Sequence, residues 1–499
     1  SEDRTRAKAA FSITEREPVT VSRVVIRGAE RTSERLILSR VALEQGGRFR
    51  RSLVRRTEEH LGALGVFSSV SVALEDPHVP ARSKVVVVTL QERRPQYLDV
   101  RPGFSTGEGF RITFEYGHRN LGGEAVQLTL RSQLGILPTA FILEGDVRDK
   151  YNELDLGERL ERRNSATVEL PDIGLGPLFR FNVEGIDVRD NARDFGLTRD
   201  AGLGTLIFRP ERVLSFQLGG SLELNDATIF GAEQRGALED YVQRNPQQRN
   251  IFRVPEGTTF AIAERIAAIW DRRDNALDAT RGTFASIGVE HVHADPVGED
   301  AGADDTDSVF AATTSDFLRY TNRVAGYVRL NRAGLALAAS VRWGWIQQLI
   351  ANSRTYPDRL FFLGGVDSLR GFLQDSLIPE DIARRLLTDP ELTLNEVVIR
   401  GGDAFVNPRL ELRIPLGESI QTAAFLDAGN LWTDPSVVFD AFRLRYAVGS
   451  GLRVRTPVGP LAFDYGFNVE RVLDGLFPGR DAQRSWEDLG AFHFSVGLF

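Results

Sequence analysis

From about residue 96 onward the chain alternates apolar and polar residues with a period of two. In LSFQLGGSLEL (214–224), Leu214, Phe216, Leu218, Leu222 and Leu224 share one face, and Ser215, Gln217, Gly219, Ser221 and Glu223 the other. Such a period marks a strand with two unlike faces. It recurs in FRITFEYG (110–117), AVQLTLRS (125–132), FAIAERIAAIW (260–270), TFASIGVEHV (283–292), IQTAAFLDAG (420–429) and PLAFDYGFNV (460–469), among others. With YLDVRPGF (97–104) first and GAFHFSVGLF (490–499) last, it predicts about 16 strands, an even number as a transmembrane barrel needs.

Residues 20–92 read differently. VSRVVIRGAE (21–30) is a β-branched strand ending at Gly28. TSERLILSRVALEQGG (32–47) opens on the cap-like Thr32 and Ser33 and stops at Gly46-Gly47, so a helix is expected over it. RSLVRRTEEHLGALG (51–65) is a second helix, apolar at Leu53, Val54, Leu61 and Leu64, and VFSSVSVAL (66–74) and KVVVVTLQE (84–92) are strands. The order is β-α-α-β-β. The expected organisation is a small α+β domain over 20–95, a β-domain over 96–499, and a tail or linker over 1–19.

The connections sharpen the fold. After a short first loop (105–108), NLGGE, DIGLGP, RPER, NRAG, PLGE and TPVGP are short. Those near 134–160, 189–197, 226–258, 294–314, 346–399, 430–440 and 471–487 are long. Loop length sorted by parity fits a transmembrane barrel with periplasmic turns and outer loops, and a soluble sandwich, barrel or propeller has no reason for it. No run of about 18 apolar residues is present, which excludes a spanning helix but not a barrel. The expected fold class is mainly β: a 16-stranded antiparallel transmembrane β-barrel preceded by the α+β domain.

Composition adds exclusions. The 499 residues carry a net charge of -8, so nothing points to nucleic acid. Lys8, Lys84 and Lys150 are the only lysines among 61 basic residues, a bias of the genome rather than of a site. Without cysteine there is no disulfide, thiol nucleophile or thiolate metal site. Without Met at position 1, the chain is expected to start after a processing or cloning cut, a signal peptide being one segment such a cut removes. Six histidines are scattered, and His291 and His293 form an H-x-H with no evident third metal ligand. The acidic run ADPVGEDAGADDTDS (294–308) lacks a calcium-loop pattern and reads as solvated. No G-x-S-x-G or Walker-type loop occurs. No enzyme activity, metal or cofactor is expected; the chemistry is strand pairing.

FFLGGVDSLRGF (361–372) places one cation, Arg370, among apolar residues and after Gly364-Gly365. A surface loop gains nothing from that arrangement, whereas a loop folded into the interior would dock Arg370 on a buried carboxylate. LRGF (369–372), FLDAGN (425–430), GSGLRVRTPVGPLAFDYGF (449–467) and the hairpin RPGFSTGEGFRITFEYGHRNLGGEAVQLTL (101–130) occur in that order around the barrel pattern. Together with Gly65, Phe67 and Val70 of the first domain, they resemble the BamA-type outer-membrane assembly family, in which POTRA modules precede a 16-stranded barrel. The signature departs in one place, with Leu369 where Val or Ile is usual. The resemblance implies that Leu369, Arg370, Gly371 and Phe372 enter the lumen and lock onto Phe425, Asp427 and Gly429. Alternation places those three on one face, and a guanidinium fork suits a carboxylate.

The resemblance further implies a factor that folds and inserts β-barrel proteins in the bacterial outer membrane, its POTRA in the periplasm. Its expected partners are nascent outer-membrane proteins, the lipid bilayer, and accessory lipoproteins or a periplasmic partner on the POTRA; no nucleic acid is expected. A weak seam between first and last strands would template client strands. Its candidate residues are Pro102 and Gly103, expected to interrupt the first ladder, and Phe492, Phe494, Gly497 and Phe499 in the last strand, where Phe499 falls out of phase. The alternatives are a TamA-like translocation and assembly factor and a two-partner secretion pore or passive porin. SEDRTRAKAAFSITEREP (1–18) is too short and polar for a plug helix; it reads as the end of a preceding POTRA, so further modules are expected ahead of it.

Overall fold

A computed structural model describes residues 18–142, 145–276, 278–298, 308–394, 400–417, 419–440, 442–456, 459–477 and 484–496. The chain forms two compact units: residues up to Tyr97 with 118–127 and 170–177, and the remainder.

In the first unit β1 (Thr20–Arg27), α1 (Glu34–Ser39), α2 (Arg51–Gly62), β2 (Phe67–Leu74) and β3 (Ser83–Glu92) follow the order β-α-α-β-β. The sheet runs β1-β3-β2, with β1 parallel and β2 antiparallel to β3. Leu36, Ile37 and Leu61 of the helices bury against Val86 and Val88 of the central strand. The helix expected over 32–47 ends at Ser39, because the amides beyond it are committed elsewhere. Ala42 donates to Thr57 Oγ1 at 3.0 Å, and Gly46, at φ 81°, donates to the Val21 carbonyl at 2.7 Å. A helix would have needed both amides for carbonyls four residues back.

Sixteen strands then close into a barrel in chain order, antiparallel throughout: β4 (Gln96–Ser105), β5 (Gly109–Leu121), β6 (Val126–Ile136), β7 (Leu160–Leu170), β8 (Phe179–Ala192), β9 (Phe195–Glu211), β10 (Leu214–Ile229), β11 (Gly257–Asp271), β12 (Gly282–Pro296), β13 (Ser315–Arg329), β14 (Ala336–Gln348), β15 (Ala404–Pro415), β16 (Ile420–Trp432), β17 (Arg445–Thr456), β18 (Gly459–Asn468) and β19 (Gly490–Val496). The two faces separate as the alternation requires. Leu218 and Leu222 are 55% and 57% exposed on the outer wall, while Glu223 between their rows is buried in the lumen at 1%. An apolar exterior around a polar, filled interior is what a bilayer demands of a barrel.

One rim carries the long connections. They hold α3 (Gly145–Glu153) and α4 (Leu156–Arg159), α5 (Ala232–Arg244) and α6 (Arg249–Phe252), α7 (Glu380–Thr388) and α8 (Val469–Leu476). Two of the expected boundaries move. The connection expected at 189–197 is a two-residue turn, Arg193-Asp194, because pairing continues to the rung Ala192↔Phe195. Its polar residues are strand, and Asp194 is consumed by a buried ion pair with Lys150 at 3.1 Å. On the opposite rim the turn 272–281 is longer than its neighbours. There Asp274 gathers the amides of Asn275, Thr280 and Arg281 at 2.9–3.1 Å, a closure invisible to periodicity.

Thr57 ties the irregular 40–47 segment to α2, also donating to the Leu53 carbonyl at 2.9 Å. Thr57→Val keeps the shape but leaves the Ala42 amide unpaired in the core. A loss of about 1–3 kcal/mol is expected, read as faster amide hydrogen exchange across 20–92 of the intact protein, with the barrel unaffected.

Candidate functional site

Within the connection that follows β14, residues 361–377 fold against the inner wall and close on themselves. Gly365 donates to the Phe372 carbonyl at 3.0 Å, Leu377 to Leu363 at 3.1 Å, and the Ser368 hydroxyl to Gly364 at 2.7 Å. Gly364 and Gly365 stand at φ 120° and 91°, and a Cβ on Gly364 would strike the Leu373 carbonyl, so this turn is open only to glycine. The turned loop packs Leu363, Leu369, Phe372 and Leu377 against Leu431 and Ala447 of the inner wall.

At its tip Arg370, 1% exposed, meets Asp427, 0% exposed. The fork is bidentate: Nε to Oδ2 at 2.7 Å and Nη2 to Oδ1 at 2.8 Å. Nη1 donates to Glu411 Oε2 at 2.6 Å, and the guanidinium lies 3.4 Å above the Phe425 ring centroid. The wall is hollowed to receive the loop. A Cβ on Gly371 would sit 2.6 Å from that of Ala447, and one on Gly466 would strike the Arg370 carbonyl. Gly429 lies on the same strand, where a Cβ would come 3.4 Å from Leu363 Cδ1. The structure thus brings Leu369, Arg370, Gly371, Phe372, Phe425, Asp427 and Gly429 into one site.

Several participants carry no motif. Arg409 donates to Asp427 Oδ1 at 3.2 Å and to the Val366 and Asp367 carbonyls at 3.0 and 2.8 Å. Asn407 holds the Ser368 carbonyl at 3.2 Å, and His493 Nε2 contacts the Arg370 carbonyl at 3.1 Å. Alternation in NPRLELRIPL places Asn407, Arg409 and Glu411 on one face, a signal that was available in the sequence; the loop contact of His493 had none. A second buried network fixes the far end of the loop. Glu380 accepts from Arg484 at 2.8 Å and from Asn430 at 2.9 Å, and Arg445 reaches Ile378, Asn430 and Glu487. Burial alone would raise the Glu380 carboxyl; Arg445 and Arg484 hold it below the usual range.

The seam residues fall into two groups. Among the described residues β19 meets β4 at two rungs, Ser495↔Ser105 and Val496↔Phe104, with two more bonds: the Thr106 amide donates to the Phe494 carbonyl at 2.9 Å and the Phe494 amide to Thr106 Oγ1 at 3.2 Å. By contrast β18 and β19 share seven rungs, and β10 and β11 fourteen. Phe494 stacks on Phe463 and lies 5.9 Å from Phe104, while Phe492 is exposed on the outer wall. Pro102 and Gly103 do not interrupt β4: the strand runs through both, as an edge-like strand permits for a residue without an amide hydrogen. Gly497 and Phe499 lie outside the described residues, as does most of the acidic run 294–308.

His291 and His293 each contact Asp316, at 3.0 and 3.1 Å. Among the described residues no group of three or more His, Asp or Glu is arranged to hold a metal ion. Asp375, half-buried beside the loop tip, has its carboxyl pushed up by burial to about 6.

Removing Arg370 strands Asp427 in the wall, so Arg370→Ala should weaken docking of 349–403 by about 3–5 kcal/mol and expose it to protease while the barrel still folds. Arg370→Lys should recover little, because an ammonium cannot reproduce the fork. Loop protection equal to the parent in Arg370→Ala would show that the contact holds nothing. Asp375 gives a pH test. Its pKa is raised in the docked state, so docking is strongest below its ordinary value near 4, weakens as pH rises to about 6 and is level above. Asp375→Asn should abolish that dependence, measured as protease resistance between pH 4 and 8.

Residues 178–499 match the Omp85 superfamily domain, and 19–93 match POTRA, described as a surface antigen variable number repeat. Among curated relatives, the outer membrane protein assembly factor BamA of Nitratidesulfovibrio vulgaris is 23% identical over 495 residues, covering 98% of this chain and 52% of the relative. That of Neorickettsia risticii is 21% identical over 467 residues, covering 92% and 54%. The chain therefore spans about half the length of these relatives. In fold it resembles BamA from Haemophilus ducreyi lacking POTRA domains 1–3, with a TM-score of 0.65 at 16% identity over 96% of this chain and 84% of that one. It also resembles CdiB from Acinetobacter baumannii, with a TM-score of 0.52 at 12% identity over 96% and 73%. A POTRA module, a closed 16-stranded barrel and a match across most of that barrel together make this chain a member of the Omp85 superfamily, of the BamA-like kind.

Proposed function

We propose that this protein assembles and inserts β-barrel proteins in the bacterial outer membrane, without enzymatic chemistry, by strand augmentation at the seam between β4 and β19. The barrel lies in the outer membrane and the POTRA faces the periplasm. The observation that carries the reading is an unequal pairing of β19: among the described residues Gly490–His493 pair with β18 but not with β4, which meets β19 at the rungs Ser495↔Ser105 and Val496↔Phe104. Backbone groups of β4 freed by parting those rungs form an edge, and an extended client strand binds an edge by main-chain hydrogen bonds. Clients are nascent outer-membrane proteins. The POTRA sheet has β2 at one edge and β1 at the other, and an accessory lipoprotein or periplasmic partner would add there by the same physics.

The names of the curated relatives support assembly over transport, and the filled lumen favours a lateral route over passage through the barrel. A TamA-like factor, or a pore that passes substrate through the lumen, is the alternative reading. The second would require the loop around Arg370 to leave its buried site.

Ser105 and Ser495 face one another at the seam, and the chain has no native cysteine. Ser105→Cys with Ser495→Cys should form a disulfide on oxidation, since directly opposed residues of an antiparallel pair lie about 4.5–5.5 Å apart. Client insertion into vesicles should stop in the oxidised protein and return on reduction. Undiminished insertion with the disulfide intact would exclude lateral opening and favour the luminal route.

A further inference from the structure

Apolar side chains in the outer connections are distributed unevenly. Those after β10 and β12, with the inward loop, bury one another: Ile229, Leu238, Val309, Phe310 and Ile378 share one core. The connections flanking β17 and β18 do the opposite. Phe439 is 82% exposed, Leu476 67% and Phe477 60%, with Phe442 and Leu489 also exposed.

Helix α8 shows why they stay exposed. It begins directly after β18, its first turn capped by the Asn468 side chain. Val469, Val472, Leu473 and Leu476 recur at i, i+3, i+4 and i+7, a single apolar stripe. The polar side is tied to the protein. Glu470 accepts from Arg443 at 2.7 Å, and Arg471 Nε donates to the Glu487 carbonyl at 2.8 Å. With those bonds made the helix is fixed in its roll, with Val469, Val472 and Leu473 half-buried and Leu476 at the far end of the stripe exposed.

The outer wall beneath differs in the same sense. On β10 and β12 the outward row turns polar before the strand ends, at Asp226 and at His291, His293 and Asp295. On β17, β18 and β19 it is apolar to the rim: Tyr446, Phe467 and Phe492 are exposed there. The exposed apolar residues of the connections therefore stand next to the apolar end of the lipid-facing wall, with Asp440 and Asp488 exposed among them.

We propose that α8, with Phe439 and Phe442, lies in the membrane–water interface of the outer leaflet as a lipid-embedded foot beside the seam. Interfacial helices bury their apolar face about 5–10 Å into the headgroup–acyl boundary, and aromatic residues favour that depth. Glu470, Arg471 and Asp474 leave the helix with no excess of cations, so the contact is made by apolar area rather than by headgroup charge. This inference needs only a membrane barrel and does not depend on how clients are handled.

The test places an environment-sensitive fluorophore on single cysteines, Leu476→Cys and Phe439→Cys, in the whole chain reconstituted in phosphatidylcholine vesicles. Gln243→Cys, exposed on α5, is the aqueous control. At 476 and 439, blue-shifted emission is expected, quenched by lipid carrying a shallow spin label and unchanged at high salt, while 243 is quenched by iodide. Aqueous emission at both 476 and 439 would overturn the proposal. So would a blue shift that grows with protein concentration and is untouched by spin-labelled lipid, since that would mark a protein partner or a second copy.

Discussion

A carboxylate with no exposed surface sits in the inner wall of this barrel, and much of the interior is arranged around making that tolerable. Left without a partner in a confined site, a carboxylate at Asp427 would destabilise its surroundings. It is instead held by the Arg370 fork, by Arg409 and by the Arg370 amide. The demand propagates outward. Arg370 can reach Asp427 only if the loop turns at two glycines, and the loop can lie flat only where Gly371 and Gly466 leave room. Glu411 then accepts from the remaining nitrogen of the same guanidinium. A pair of this kind adds little net stability over well-packed apolar residues but strongly penalises any arrangement that leaves one partner alone. Its effect is to select one loop position.

Much of this was legible in the sequence because two periodicities are blunt. A period of two placed the strands and told the wall from the exterior, and it put Phe425 and Asp427 on one face without reference to any motif. The motif supplied what alternation could not, the partner 57 residues away. The failures have physical causes. The 32–47 helix was cut short by a tertiary bond to Thr57, and most of the loop expected at 189–197 was strand because pairing runs on to Ala192↔Phe195, with the turn's acid, Asp194, taken up by a buried lysine. Pro102 reads as a break in sequence yet sits within a continuous strand. The network of Glu380, Arg445 and Arg484 joins residues from three separate segments, and no local pattern announces it.

The lumen and the outer rim answer different solvents. Inside, guanidinium groups are shared among carboxylates and backbone carbonyls, because water is scarce and every donor needs a partner. At the rim near β17–β19, apolar residues are left uncovered while polar ones are tied back, an inversion that makes sense only where the surroundings are themselves apolar. After β10 and β12 on the same rim the connections bury apolar groups in a shared core. The barrel is thus dressed differently on the side of its last strands.

His493 belongs to the last strand, yet its ring contacts the backbone of the loop, at the carbonyl of Arg370. Above the final rungs, β19 from Gly490 to His493 has no described partner on β4, and the loop occupies the inner side of that gap. Two equilibria therefore share one contact: parting of the strands and release of the loop. Reciprocity then holds whatever the direction of cause. If drawing the loop out makes the strands easier to part, anything that parts the strands must loosen the loop by the same free energy, and the lipid side and the inner wall are bound to feel each other.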